Sequence, residues 1–279
     1  MSDNLDPKLV EDFGREWGQF DQTLIPPAQL AAMFNRYFYL FPWDSLPRGA
    51  VGFDLGCGTG RWAKLVADKV GTLHCIDASK ATLKIAEKNL IGKKNCHYHL
   101  GGIEDIPIPN DSMDFGFSIG VLHHIPKPFK ALKLCVAKLK SGAPFLLYIY
   151  YRCDNRPFWF RLLWRISDMF RRCISRSPYP LKYWTTQLIA ALVYYPLARL
   201  ALVLEKMGFE VNGMPLSYYR NWNFYTMRTD ALDRFGTRLE HRYTQGEIRQ
   251  MMQEAGLEHI VFNEFAPYWC ALGFKENKI

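Results

Sequence analysis

The stretch "DLGCGTG" at residues 54–60 follows an apolar run and precedes a helical pattern. Glycines at 56, 58 and 60 put bare backbone where a strand turns into a helix, so a ligand can approach closer than any Cβ would permit. A dinucleotide turn would read G-x-G-x-x-G and seat a pyrophosphate on the helix N-terminus. Here the spacing is G-x-G-x-G, Arg61 follows the last glycine, and Asp54 precedes the first. That pattern suits a ligand bearing an ammonium and a sulfonium in place of phosphate.

Outward from this turn, short apolar runs alternate with helical patterns over residues 50–150, the signature of βαβ units and a parallel sheet. "AVGFDL" (50–55) reads as a strand and "RWAKLVADKV" (61–70) as a helix. "TLHCID" (72–77) is the next strand, and "SKATLKIAEKNLIG" (79–92) is a helix with Ser79 as N-cap and Gly92 as stop. "CHYHL" (96–100) and "MDFGFSI" (113–119) are strands three and four. A helix over 128–142 feeds "APFLLYIYY" (143–151), apolar enough to be buried on both faces. Residues 152–243 break the rhythm with aromatics, arginines and prolines. It resumes at "TQGEIRQMMQEAG" (244–256), where Thr244 and Glu247 stand in capping-box relation and Gly256 ends the helix. "LEHIVFNEF" and "YWCALGFK" then make two strands of an antiparallel edge. The fold expected is α/β: a Rossmann-like, seven-stranded, mostly parallel sheet with an antiparallel edge and a helical, aromatic-rich insertion after strand five. Its parts are an N-terminal helical cover (1–49), a core (50–151 and 244–279) and an insertion for substrate recognition or a lid (152–243).

The formal charge is +8 over 279 residues. Between Arg152 and Lys182 eight basic residues stand against Asp154 and Asp168, a local excess of 8 − 2 = +6. One segment therefore carries most of the imbalance. Seven cysteines, scattered without a C-x-x-C pair, argue against a disulfide framework or a zinc ribbon. No grouping of His, Cys and acids has metal-ligand spacing, so no metal is expected. The opening residues have neither the basic end nor the apolar stretch of a secretory signal, and a cytoplasmic protein is expected.

The second strand ends in Asp77, placed to accept hydrogen bonds from both hydroxyls of a ribose. With Asp54 supporting the turn, the two acids fit S-adenosylmethionine. "DLGCGTG", the acid in "CIDAS", "GGIEDIPIPNDSMDFGFSIGVLHHIP" and "LKSGAPFLLYIYY" resemble the successive motifs of class I S-adenosylmethionine-dependent methyltransferases, especially the branch that includes the ubiquinone and menaquinone C-methyltransferases. The resemblance covers 50–150 and returns over 244–274. It implies that Gly56 and Gly58, with Cys57 and Gly60 in the same turn, surround the methionine portion. Asp77 and Ala78 would meet the ribose, Ile103 and Glu104 would flank the adenine, and Ile119 would lie under the methionine amine. Gly102 is a departure, standing where such proteins often carry an acid.

A sulfonium methyl needs an aligned acceptor and exclusion of water more than a protein nucleophile. Where the acceptor is a hydroxyl or an activated carbon a base helps, and His124, His123 and His241 are the candidates. For the pair at 123–124, packing after strand four is the plainer reading. Tyr150, Tyr218, Tyr219, Arg220 and Arg228 are candidate acceptor contacts, since an aromatic wall with a few polar groups suits an organic acceptor. Phe13, Trp17 and Phe20 fall at helical spacing, an apolar stripe fit to cover the cofactor.

In "RPFWFRLLWRISDMFRRC" (156–173), Arg161, Arg165, Asp168 and Arg172 share one helical face and apolar residues take the rest. "LIAALVYYPLARLALVL" (188–204) is apolar but interrupted by Pro196 and Arg199. The insertion reads first as a protein-packed lid or substrate domain, second as an interfacial helix pair with membrane-surface contact through 157–204 at the inner face of a membrane, and last as a span. Methyl transfer to a small or amphipathic acceptor is therefore the leading function. A tRNA or other RNA methyltransferase comes second, as basic residues interleave with aromatics but no RNA-binding module is present. A catalytically silent S-adenosylmethionine-binding partner comes third.

Overall fold

The computed structural model describes residue 4 and residues 6–277. The expected N-terminal cover and the end of the core thus reach past the described residues at 1–3, 5 and 278–279. Two compact units emerge among the described residues: one of residues up to 23, 30–152 and from 239 on, the other of 24–29 and 153–238.

The first unit begins with helix α1 (Pro7–Gln19), whose N-cap Asp6 accepts from the amides of Lys8 and Leu9. Helix α2 (Pro27–Tyr37) begins among residues of the second unit and ends among those of the first. The sheet strands are β1 (Val51–Leu55), β2 (Thr72–Asp77), β3 (Cys96–Leu100), β4 (Phe115–Ile119), β5 (Pro144–Tyr148), β6 (Leu257–Phe262) and β7 (Cys270–Lys275). Their order is β3-β2-β1-β4-β5-β7-β6, with the first five parallel and β7 antiparallel to both β5 and β6. This is the seven-stranded sheet with an antiparallel edge expected from the sequence. Helices α3 (Ala63–Val66), α4 (Lys80–Asn89), α5 (Pro128–Lys138) and α10 (Gln245–Glu254) connect or follow these strands.

The two glycine–phenylalanine pairs of the central strands explain how tightly they pack. Gly52 is registered with Phe115 and Phe53 with Gly116. A Cβ on Gly52 would lie 2.3 Å from the Phe115 ring, and one on Gly116 would lie 2.4 Å from the Phe53 ring. Each ring occupies the space that its neighbour's missing side chain leaves, and both are fully buried.

Several elements are shorter than the sequence reading, among them β4, β6, β7 and α5 by two to four residues at an end, and three segments differ in a way that the packing explains. The helix expected over 61–70 is regular only over α3, because the side-chain amide of Asn95 donates to the carbonyls of Ala67 (2.8 Å) and Val70 (3.1 Å) and holds that segment in turns. The last strand of the parallel set stops at Tyr148, and Tyr151 makes an isolated parallel bridge to Tyr243. The segment read as interrupted at Pro196 and Arg199 is instead continuous helix, described next.

The second unit is helical: α6 (Phe158–Ile174), α7 (Tyr179–Ile189), α8 (Tyr195–Lys206) and α9 (Phe224–Gly236). A π-turn over Ala190–Tyr194 joins α7 to α8, so Tyr179–Lys206 forms one helix of 28 residues. Widening the backbone just ahead of Pro196 accommodates a residue that lacks an N–H donor. Arg199 is reconciled with the helix by donating to the carbonyls of Arg220 (2.7 Å) and Trp222 (3.0 Å). Ala190, Tyr194, Ala198, Met227, Ala231 and Phe235 form this unit's own apolar core.

Candidate functional site

The strand order reverses between β1 and β4, which leaves a crevice at the carboxyl ends of those strands, the usual ligand position in open α/β sheets. Parallel pairing brings three separate stretches to that edge: the glycine turn after β1, Asp77–Ser79 after β2 and Ile119–His124 after β4.

Asp77 ties the first two together. One carboxylate oxygen accepts from the Gly58 amide at 3.0 Å and the other from the Ser79 amide at 2.8 Å, with Ala78 between the two arms. Burial pushes the carboxyl up to about 6, against the pull of those two N–H donors. Asp54 is buried at the end of β1, and its Oδ2 has no hydrogen-bond partner. Burial and the neighbouring Asp77 charge hold this carboxyl well above the ordinary range, with Arg61 opposing them. A buried carboxyl oxygen without a partner beside a glycine turn is what a ligand cation would satisfy, so the residues fit S-adenosylmethionine.

The glycines serve different purposes. A Cβ on Gly56, whose φ is +74°, would sit 2.3 Å from Val121 Cγ2, so this glycine lets the turn pack on the segment after β4. At Gly58, φ is +55° and an added Cβ would have only the Trp17 indole near it, at 3.8 Å. The apolar stripe of α1 thus lies against the cofactor turn: Trp17 over Gly58, Phe13 with its ring centroid 5.2 Å from that of His124, and Phe20 buried. Gly60 packs against Leu90. Cys57 is buried in the turn; a contact with Cys75 lowers its thiol pKa, but burial and the charges of Asp77 and Asp54 prevail and push it up to about 11. It therefore remains a thiol at neutral pH and acts by packing.

Ile103 belongs to the core cluster, and Glu104 pairs with Lys130 at 2.5 Å. Ile119 is buried at the end of β4, opposite Tyr148, whose carbonyl accepts from the Gly120 amide at 3.0 Å.

The adjacent pair His123 and His124 and the distant His241, the three candidate bases, come together within the first unit. The His241 amide donates to the His123 carbonyl at 2.8 Å, and the rings of His123 and His124 have centroids 4.0 Å apart. His123 is fully buried and stacks on Tyr150, with centroids 3.8 Å apart. Neither of its ring nitrogens has a hydrogen-bond partner. Burial, together with His124, Arg242 and His241, holds it well below the usual imidazole range, so it is neutral at pH 7. Burial likewise lowers His241, with a backbone contact at Ile125 pulling the other way. His124 Nδ1 bonds the Leu239 carbonyl at 2.8 Å, a contact that assigns the proton to Nδ1 and the lone pair to Nε2 in the neutral ring.

Tyr150 lies in an aromatic wall that the sequence reading saw only in part. Tyr148 packs on Tyr150 (6.2 Å) and on Tyr37 (5.0 Å), and the Arg242 guanidinium lies 4.9 Å over the Tyr150 ring. The period-2 spacing of 148 and 150 could have flagged the pair; Tyr37 and Arg242 carry no local signal.

The other four candidate acceptor contacts belong to the second unit and have partners inside it. Arg220 pairs with Glu205 at 2.7 Å and donates to the Ser217 carbonyl at 2.9 Å. Arg228 donates to Gln187 Oε1 at 2.6 Å and to the Tyr183 hydroxyl at 3.1 Å. Tyr218 packs on Tyr219 and Trp222, and Tyr219 on Tyr194.

Residues 53–147 match the family described as a methyltransferase domain. The chain is similar to the demethylmenaquinone methyltransferase of Bacillus licheniformis, 30% identical over 102 residues that cover 35% of this chain and 44% of that protein. It is also similar to the tRNA (carboxymethyluridine(34)-5-O)-methyltransferase of Schizosaccharomyces pombe, 26% identical over 111 residues, 38% of this chain and 44% of that one. The matches span less than half the length of these two curated relatives. Among solved structures, a protein assigned as a methyltransferase in complex with the Haloferax volcanii Trm112 methyltransferase activator shares the fold, with a TM-score of 0.52 at 14% identity, covering 95% of this chain and 98% of that one.

Proposed function

From the premise that residues 53–147 are a class I S-adenosylmethionine-dependent methyltransferase domain, we propose that the chain transfers a methyl group from S-adenosylmethionine to a small or amphipathic organic acceptor. The observation that carries this reading is the pair of acids at the strand ends: Asp77 bridging the Gly58 and Ser79 amides, and Asp54 buried with an unpartnered oxygen. Bound there, the cofactor supplies a methyl group on a sulfonium, electrophilic enough for in-line displacement.

The chain's own residues do the rest. Asp77 presents acceptor lone pairs to a ribose diol, Asp54 offers an unpartnered oxygen that a ligand cation would favour in its charged form, and the stripe of α1 shields the turn from water. Where the acceptor needs a base, His124 would take the proton at Nε2 once the buried pair at 123–124 is opened to the acceptor, since burial makes His123 the weaker base. Tyr37, Tyr148 and Tyr150, packed edge to face, offer an aromatic lining of the kind an aromatic or quinone-like acceptor would use. A second reading, methylation of tRNA, has its support in the similarity to the yeast tRNA enzyme and in the charge of +8.

Methyl-labelled S-adenosylmethionine, the purified chain and a cell extract, partitioned into organic, aqueous and nucleic-acid fractions, test the proposal. Label in the organic or small-molecule fraction is expected. Label in RNA would replace the first reading by the second, and no label despite cofactor binding would mark a silent binding protein.

A further inference from the structure

A helix on a water-facing unit ordinarily turns its polar side outward. The long helices of the second unit instead expose broad apolar faces. On α6, the charged pair turns inward: Arg171 is buried, donating to Asp168 at 2.6 Å and to the Thr237 carbonyl at 3.1 Å. Phe158, Trp159, Leu162, Ile166, Met169 and Phe170 are all exposed, Phe158 and Met169 each at 68%. At about 100° per residue these six fill an arc of roughly 120°, and Arg161, Arg165 and Arg172 fall on the adjoining arc.

The Tyr179–Lys206 helix also exposes an apolar face. Beside Ala190, Tyr194 and Ala198 of the unit's core it buries the polar Lys182, Thr186 and Gln187, the last held by Arg228, and it exposes Leu181, Trp184, Leu188, Leu192, Leu200 and Val203. By length and composition it could cross a membrane, and only 22% of its most apolar stretch is buried. A soluble protein's core helix would be mostly buried. Its inner side, though, is fastened to protein by polar contacts at Gln187 and Arg199, which fits a helix lying on a bilayer rather than passing through one.

We propose that the outward faces of α6 and the Tyr179–Lys206 helix dock the protein onto the surface of an anionic lipid bilayer. The apolar residues enter the boundary between headgroups and acyl chains, Trp159 and Trp184 sit at headgroup level, and Arg161, Arg165 and Arg172 meet lipid phosphates. Charge selects this occupant. Arg171, Lys182 and Arg199 turn inward, but Arg161, Arg165, Arg172 and Arg176 are exposed, and Asp168, the one acid over residues 157–204, is already held by Arg171 and Arg172, so a second copy of the chain would bring like charges together. An anionic membrane supplies both the apolar phase and the opposite charge. This inference stands apart from methyl transfer, and its test uses no turnover.

The full chain would be sedimented with vesicles of phosphatidylcholine alone and of phosphatidylcholine with phosphatidylglycerol. Binding is expected to the anionic vesicles, weakened by raising salt. Trp184→Glu with Leu192→Glu should lower the partition by at least about tenfold, and Arg161→Glu with Arg165→Glu should remove the preference for anionic lipid. Circular dichroism and S-adenosylhomocysteine binding, unchanged in these surface variants, keep loss of docking distinct from loss of fold. No binding to either vesicle, or binding that the substitutions leave intact, would overturn the proposal. So would a dimer in solution that Trp184→Glu dissociates, or retention on RNA in place of vesicles.

Discussion

Asp77 holds the glycine turn and, in the proposed complex, the ribose as well, so its protonation state controls the site. Burial lifts its pKa to about 6, and hydrogen bonds from Gly58 and Ser79 only partly offset this. Above that value the group is a carboxylate with acceptor capacity to spare; below it, a proton takes up a lone pair that the diol needs. Affinity for S-adenosylmethionine should therefore fall as pH drops through about 6, approaching tenfold per unit well below it. Calorimetry between pH 8 and 5 checks this, and Asp77→Asn should bind weakly and lose the inflection near 6. A flat profile in the parent protein would refute it. The glycines give a second comparison at the same scale. Gly56→Ala meets Val121 and a left-handed backbone, and should cost about 3 kcal/mol. Gly58→Ala meets only the backbone penalty, about 1 kcal/mol. Equal losses in urea unfolding would contradict this account of the turn.

Helix ends show where local chemistry decides an element. The Thr244 hydroxyl accepts from the Glu247 amide at 3.2 Å, while Glu247 Oε2 accepts from the Thr244 amide at 2.7 Å. Thr244→Ala should lower stability by about 1 kcal/mol, read from the urea midpoint with an unchanged slope. Ser79 caps α4 in the same way, its hydroxyl accepting from the Thr82 amide at 3.3 Å, and Gly256 follows α10 with φ +90°. All three were legible because a cap is written within four residues. The truncation of α3 was not, since Asn95, which holds residues 67–70 in turns, lies 25 positions beyond Val70. Continuity of the helix across Pro196 was equally hidden: a π-turn one residue ahead of the proline has no marker in composition.

At the scale of the whole molecule, two units with separate cores predict a localised response to ligand. Hydrogen exchange with and without S-adenosylhomocysteine should show slowed amides at 54–60, 77–79 and 119–124, and unchanged rates over 158–206. Protection spread evenly over both units would argue against a site confined to the strand ends of the first. The apolar faces that the second unit's helices expose have their own test in vesicle binding, where the outcome turns on Trp184 and Leu192 rather than on any residue of the glycine turn.

The sheet and its cofactor edge could be read from the sequence because both rest on local pattern. Apolar periodicity marks each strand, and the short distance from Asp54 to Asp77 spans one βαβ unit whose parallel pairing leaves little choice of where the second acid falls. The tertiary structure alone decided the meeting of His241 with His123 and His124, the contribution of Tyr37 and Arg242 to the wall around Tyr150, and the internal partners of Arg220 and Arg228. It also decided which side of each amphipathic helix turns outward. Periodicity fixes that a helix has two faces, but only packing against the rest of the chain determines which face is left in contact with the surroundings.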